Sequence, residues 1–457
     1  MPLTRCGVLV APDLSPGPGP ATGTWCTDLE LSGPLPPVLP VPAGPGGRCY
    51  GSVRVLARLH GVPLGFIELP SPGSELDVQV LLKAIDSELL DAVNEHLSAD
   101  AAVPVGSVAQ VRPAVEGDGC ASHYRPADDV TVVVGTRDRP EMVRGCLNRL
   151  RRLGYPRLEF ILVDNAPSDD STRKVFDEVV GSDSRFRYLR EPKPGVASAR
   201  NCGLRAATGS LIAFTDDDVL VDLDWIRALA TVFRDPAVAG VTGLICTASI
   251  DGPSERYFDA RAGWAIGFRP AAYRIGGDTD HGIFPYSPGS FGATANFAAR
   301  TAVLRELGGF DELLGPGTRA AGGEDLDLFV RIILSGWTLA YEPSVMVWHQ
   351  HRADLDSLRR QMFVYGTGLS AFLTKHLLDP STRWEVLRRA PRGLGRIITI
   401  ATRTQHSLGS SRGGAEVGTA APDEAVPARA MLLRELAGFV VGPFRYLRGR
   451  RASASAG

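Results

Sequence analysis

The stretch 210-SLIAFTDDDVLVD-222 decides how the chain is read. An apolar run, Leu211 to Phe214, ends at Asp216, Asp217 and Asp218, and apolar residues then resume. Adjacent carboxylates repel, and burying one without a partner is costly. A cation is therefore expected at the end of this strand. Carboxylates two residues apart in extended backbone aim to one side. A divalent ion shared by such a pair and a diphosphate is the usual Mg²⁺ or Mn²⁺ arrangement. Asp triplets also occur in solvated turns and as helix caps, and 222-DLDW-225 opens a helix nearby. What decides for a metal site is the surrounding pattern.

That pattern alternates strand and helix. VTVVVGT (130–136) is a short β-branched run suited to a buried parallel strand. A helix follows from Pro140, a good first helical position. LEFILVDNA (158–166) is a second strand, 170–180 a helix, and RFRYLRE (185–191) a third strand. PGVASARNCGLRAATG (194–209) is a helix stopped by Gly209, and 210–216 is the fourth strand. This order predicts an α/β fold, an open and mainly parallel sheet with helices on both faces. Ligands of such sheets bind beyond the carboxyl ends of the strands. Thr136-Arg137-Asp138, Asp164-Asn165 and Asp216-Asp217-Asp218 are thus expected to converge on one edge, where Asp164 and Asn165 are placed to accept from a base or ribose.

Two further clusters lie downstream. In 322-GGEDLDLFVRI-332 the apolar residues follow helical spacing, so Glu324 and Asp325 stand at a helix start. Acids there suit the helix dipole; beside the Gly-rich loop 308–323, one of them is also placed to act as a general base. In 344-SVMVWHQHR-352, strand alternation puts His349 and His351 on one face. A neutral imidazole is a common metal ligand, although a partly buried or surface His pair is the more frequent case.

Taken in order, VVVGTRDRP (132–140), ILVDNAPSDDST (161–172), GVASARNCG (195–203), LIAFTDDD (211–218), GGFDE (308–312), GGEDLDLFVR (322–331) and VWHQHR (347–352) resemble the family 2 glycosyltransferases of the GT-A fold. The resemblance covers roughly residues 129–352. It implies a Rossmann-like nucleotide-binding half joined to an acceptor half. Thr136 and Arg137 would line the nucleotide pocket, Asp164 would contact the base, and Arg200 and Asn201 would lie beside the nucleotide-sugar with Asp216 and Asp217. Asp216 and Asp218 match the DxD, with Asp218 the main ligand of Mg²⁺ or Mn²⁺. His349 would complete the metal shell, with His351 as its competitor. Asp325 matches the catalytic base, assisted by Glu324. The implied reaction is inverting: Asp325 takes the proton of an acceptor hydroxyl, whose oxygen attacks the anomeric carbon opposite the diphosphate. The donor would be a nucleoside-diphosphate sugar and the acceptor a glycan, lipid-linked sugar or small molecule. The sequence lacks the transmembrane helices and QxxRW motif of processive synthases, which points to single-sugar addition.

The rest of the chain frames that core. It has 457 residues and a formal net charge of −2, which gives no overall field for nucleic acid. Residues 1–127 hold 7 Lys+Arg against 13 Asp+Glu, a balance of −6; residues 381–457 hold 13 against 5, a balance of +8. Residues 1–48 are Pro/Gly-rich and read mostly as loop. Residues 49–127 read as a small acidic α/β extension and linker, with strands at 53–59 and 61–69 and a helix over 76–97. The glycosyltransferase-like domain is set at 128–380. Residues 381–457 form a basic tail, loose over 405–427, with an amphipathic helix over 431–451 suited to an anionic membrane surface. Seven scattered cysteines without CxxC read as reduced thiols. No signal peptide and no membrane span are evident in the pattern. The expected location is cytoplasmic, peripheral on the inner face of the plasma membrane.

Two other readings compete. An apolar strand ending in DxD also suits a haloacid-dehalogenase-type phosphatase with Asp216 as nucleophile. That motif normally carries Thr or Val two residues after the second Asp, where this chain has Leu220, and it sits on the first strand of its domain, whereas three strands precede it here. The other is a non-catalytic module that binds a sugar nucleotide or glycan.

Overall fold

The computed structural model describes residues 23–44, 47–71, 73–100, 102–111, 128–262, 266–287, 289–351, 354–392 and 426–454. The N-terminal part builds β1 (Thr24–Glu30), β2 (Val38–Pro40), β3 (Ser52–Leu59), β4 (Val62–Pro70), β5 (Glu75–Asp77) and α1 (Val78–Ala99). The core follows with β6 (Val130–Thr136), α2 (Pro140–Leu150), β7 (Leu158–Asn165), α3 (Ser171–Val180), β8 (Phe186–Glu191), α4 (Val196–Ala206), β9 (Leu211–Asp216) and β10 (Val219–Val221). Next come α5 (Trp225–Val232), β11 (Val238–Thr247), β12 (Ser249–Ile250), α6 (Pro253–Ala262), β13 (Ala271–Tyr273), β14 (Asn296–Arg300) and α7 (Thr301–Glu306). The chain continues through α8 (Glu324–Leu334), β15 (Thr338–His349), α9 (Leu355–Leu378) and α10 (Ala428–Ala454).

The expected open α/β sheet is present. Its strand order is β10-β15-β11-β14-β9-β6-β7-β8, with β13 added to β15. The half formed by β9, β6, β7 and β8 is parallel throughout, and β14 and β10 enter antiparallel. Alternation along β6 explains the two-sided core. Val130, Val132 and Val134 pack with α2, α3 and α5 on one face; Val133 packs with α4 and α8 on the other. Helix α4 comes so close that a Cβ on Gly203 would lie 2.3 Å from Val133 Cγ1. Register then places the polar strand ends together: Thr136 pairs with Asp164, and Gly135 with Asp216.

The loop reading of residues 1–48 is corrected by the structure. TWCTDLE (24–30) is a buried strand, parallel to β3, and the Pro and Gly on either side of it masked its apolar and β-branched content. The strands and helix expected across 53–97 are found as β3, β4 and α1. The extension does not stand alone: its sheet runs β12-β1-β3-β4, so β12 of the core completes its edge. Cys26 and Leu56 share a core with Leu244, Met346 and Trp348. Arg58, fully buried, bridges Asp28 (2.9 Å) and Asp222 (2.8 Å), which follows β10. Residues 1–22 and the looseness expected over 112–127 and 405–425 lie outside the described residues.

Helix α10 packs along α9 through small residues. A Cβ on Gly438 would meet Phe363 O at 2.1 Å, and one on Gly442 would meet Ser370 Oγ at 2.0 Å. Helix α9 is tied in turn to α8 by Asp327, whose fully buried carboxylate meets Arg331 Nε and Lys375 Nζ, both at 2.7 Å. The basic helix therefore docks on the core by one face. On the opposite side it exposes Leu433, Leu436, Val440, Phe444 and Leu447.

Candidate active site

The strand-end carboxylates are answered by two arginines. Asp217 turns inward, where its Oδ2 accepts from Thr136 Oγ1 (2.6 Å) and its Oδ1 from Arg139 Nη1 (2.5 Å). Burial pushes its carboxyl up to about 7, against the opposing pull of Arg139. Arg139 also reaches Asp218 Oδ2 at 3.0 Å. Sequence reasoning assigned nothing to Arg139, although it stands inside the quoted VVVGTRDRP. Its place before the first helical residue was the available signal.

Arg200 joins the two carboxylate clusters that the sequence shows separately. Its guanidinium is 5% exposed and donates to Asp216 Oδ1 and to Glu324 Oε1, each at 3.0 Å. The end of β9 and the start of α8 thus form one electrostatic unit. Burial raises the carboxyls of both Glu324 and Asp325, and Arg200 offsets part of that rise. Asp325 Oδ1 accepts the Leu326 N–H at 2.8 Å. The carboxylate also draws on its own backbone N–H. Gly315 packs directly on Glu324, where a Cβ would stand 3.1 Å from the carboxylate carbon.

His349 is the histidine that faces the carboxylates. Antiparallel pairing sets Val219 opposite His349, which brings His349 Nε2 to 3.5 Å from Asp218 Oδ1. His351 lies behind it: its Nδ1 is 3.1 Å from His349 Nδ1, and its Nε2 is 2.9 Å from Thr247 Oγ1. Burial, then the neighbouring His349, lowers the His351 pKa to about 3. A carboxylate oxygen and an imidazole nitrogen at this separation fit two adjacent ligands of one divalent ion. Asp216 stands apart from that pair. The three ligand atoms are not all within 4.8 Å of one another, because Arg200 holds Asp216 Oδ1 on its own side.

The residues expected at the nucleotide side are partly committed to structure. Asp164 Oδ2 accepts from Tyr188 OH at 2.6 Å, while its buried Oδ1 has no partner among the described residues. Burial raises its carboxyl. Asn165 is consumed locally: it accepts from the Gly195 N–H (2.8 Å) and donates to Lys193 O (2.7 Å), fixing the loop before α4. Asn201 likewise grips the 308–312 loop through the N–H and C=O of Phe310 and through Glu312. Arg137 is half exposed and pairs with Asp138 at 3.6 Å. Asp138 caps Ser168 from a left-handed backbone and so ties the first two strand-end loops together. A cavity of about 630 Å³ borders Asp217 and Asp218, with Trp25 and Tyr50 of the extension in its wall.

A family model described as glycosyl transferase family 2 matches residues 131–301. The pre-mycofactocin glycosyltransferase of Mycobacterium tuberculosis (strain H37Rv) is 32% identical over 268 residues, 57% of this chain and 52% of that protein. The chain thus spans about half the length of that relative. The succinoglycan biosynthesis protein ExoM of Rhizobium meliloti is 29% identical over 269 residues, 56% of this chain and 79% of that protein. Among solved structures, the mannosyltransferase PcManGT from Pyrobaculum calidifontis, in complex with GDP-Man and Mn²⁺, has a TM-score of 0.48. It is 18% identical and covers 70% of this chain and 88% of its own. Residues 131–301 of this chain thus match the glycosyl transferase family 2 domain.

Proposed function

We propose that the protein is an inverting glycosyltransferase that moves one sugar from a nucleoside-diphosphate donor to a hydroxyl of a glycan, a lipid-linked sugar or a small molecule. The observation that carries this reading is the buried Arg200, which binds Asp216 and Glu324 together. A diphosphate end and a base end then share one site. Asp164 Oδ1, buried and without a partner among the described residues, would accept an N–H of the base, and Thr136, which donates to Asp217, would stand beside it. Arg137, half exposed and held by its pairing with Asp138, would turn toward phosphate or ribose. Asn201 and Asn165 act by holding their loops. Asp218 and His349, with Asp216 nearby, would hold Mg²⁺ or Mn²⁺, which when bound supplies countercharge for the departing diphosphate. Asp325 receives the acceptor proton.

Calorimetry with UDP, GDP, dTDP and CDP, each with and without Mn²⁺, tests the donor side. One diphosphate should bind only with metal, and Asp218→Asn should weaken it at least about tenfold. Binding of none of the four under any condition would sink the reading.

The acceptor side includes a membrane contact. Leu433, Val440 and Phe444 are each about two-thirds exposed, on the face of α10 opposite its packed glycines. Arg434, Arg445, Arg448, Arg450 and Arg451 accompany them. An apolar stripe beside this much positive charge fits an anionic bilayer surface. No helix among the described residues is long and apolar enough to cross a membrane; the contact proposed here is peripheral, on the anionic cytoplasmic leaflet. Co-sedimentation with phosphatidylserine vesicles should fall roughly tenfold for Val440→Glu/Phe444→Glu. Equal pelleting of the two proteins, or no pelleting of either, would remove this contact.

A further inference from the structure

The N-terminal extension carries a second group of ligating side chains, on elements separate from the strand-end carboxylates. We propose that His60, His96 and Asp100 form a binding site for a transition-metal ion of the zinc class. His60 sits at the turn between β3 and β4 with φ 54°, and Gly61 follows at 82°. Histidine is among the few side-chain residues enriched in left-handed backbone, so the turn accepts His60, and its meeting with His96 and Asp100 is a separate feature. His96 and Asp100 lie one helical turn apart at the end of α1 and so share a face. The hairpin tip and the helix end are brought together side chain to side chain.

The ligand atoms form a near-equilateral triangle. His60 Nδ1 is 3.0 Å from His96 Nε2 and 2.8 Å from Asp100 Oδ2, and His96 Nε2 is 3.1 Å from Asp100 Oδ2. Among the described residues, this is the one group of three His, Cys, Asp or Glu whose ligand atoms all lie within 4.8 Å of one another. The side chains are 6%, 12% and 23% exposed, so water competes weakly.

Protons serve this triangle badly. A neutral imidazole carries one N–H, and a carboxylate only accepts. If both rings donate to Asp100, two N–H groups confront each other. If one proton lies between the rings, a bare nitrogen faces a carboxylate oxygen. A cation uses all three lone pairs at once. At ~2.0–2.1 Å from each atom it would sit roughly 1 Å off the triangle's plane, with its outer side open to water or a fourth ligand. Two imidazoles and a carboxylate form a donor set that zinc accepts.

The surroundings hold the hairpin tip in place. The backbone N–H groups of His60 and Gly61 both donate to the carboxylate of Glu30, each at 2.9 Å. Two residues before His60, Arg58 ties the same strand to Asp222 beyond β10. An ion here staples the β3–β4 turn to the end of α1, beside the ion pair that docks the extension on the core. The inference holds whether or not the strand-end carboxylates bind a nucleotide.

The test uses the full chain, stripped with chelator and titrated with Zn²⁺ against a chromophoric zinc indicator, with elemental analysis of the desalted product. His60→Asn keeps a residue that tolerates the turn, and His96→Gln keeps the helix. In Asp218→Asn, where the strand-end carboxylates do not add a second ion, one equivalent of zinc per chain is expected, weakened at least tenfold when either histidine change is added. Zinc should raise the melting temperature of Asp218→Asn and not that of Asp218→Asn with His96→Gln. Absence of stoichiometric zinc would mean that the triad is linked by protons and would overturn the proposal. So would equal zinc in both histidine variants, or its loss in Asp218→Asn alone.

Discussion

Asp325→Asn is expected to lower turnover by about 10²–10⁴-fold, the usual contribution of a positioned general base, while leaving nucleotide affinity within a few-fold of the parent. The asymmetry between neighbours supports the choice. Glu324 is already engaged by Arg200, so its charge serves to hold that guanidinium between α8 and β9. Asp325 binds its own helix terminus, through the Leu326 N–H and its own N–H, and as the proposed base would meet an incoming hydroxyl. Glu324→Gln should instead disturb Arg200, and through it Asp216, so its effect should reach donor affinity as well as turnover. Burial raises both carboxyls, and the pair titrates jointly. A base must be ionised to work. Activity should therefore fall as pH drops through a limb lying above the ordinary carboxylate range, and Asp325→Asn should remove that limb along with the rate. Near-parental turnover in Asp325→Asn would assign the proton to another group.

The parts of this site that were legible in the sequence are those set by local pattern. The runs at 130–136, 158–166 and 211–214 read as buried strands, and their alternation with helices placed Thr136, Asp164 and Asp216 at the same edge. Register then made them neighbours. What could not be read were the contacts that depend on distant segments. Glu324, Asp325 and Asp327 look alike as acids in a first helical turn, yet their partners differ. Glu324 meets Arg200 across 124 positions. Asp327 is sealed against Lys375, and Asp325 meets backbone N–H groups at its own helix start. His349 and His351 share a strand face by alternation, and only the pairing of β10 with β15 sets one of them before Asp218. The strand at 24–30 was hidden by its flanks, because composition averaged over 48 residues cannot resolve seven buried ones.

Arg58→Ala should be the most destabilising single change in the extension. Arg58, Asp28 and Asp222 have side chains 1%, 2% and 1% exposed. Removing one member of such a buried group costs about 3–5 kcal/mol, because charge is left in a medium that cannot solvate it. That corresponds to a folded-to-unfolded ratio lower by roughly two to nearly four powers of ten. Neutralising the partners together, with Arg58→Met, Asp28→Leu and Asp222→Asn, should recover much of the loss, since the penalty lies in the uncompensated charge. The pH dependence has a definite sign. Burial alone would raise the Asp222 carboxyl, but the Arg58 charge and hydrogen bonds outweigh it and hold the pKa below the ordinary range. Such a group stabilises the fold above its unfolded pKa, about 3.9, and the contribution disappears as pH falls through the folded value. The gap between parent and Arg58→Ala, measured by urea unfolding, should be full at neutral pH and should shrink in acid below about 4. A gap under about 1 kcal/mol at pH 7, or one that widens in acid, would contradict this account. The consequence reaches the active site through the chain itself. Asp222 closes β10, β10 pairs with the end of β15, and that pairing sets His349 against Asp218. Loosening Arg58 should therefore weaken metal-dependent nucleotide binding even in the fraction that remains folded, which makes the extension part of the site's scaffold.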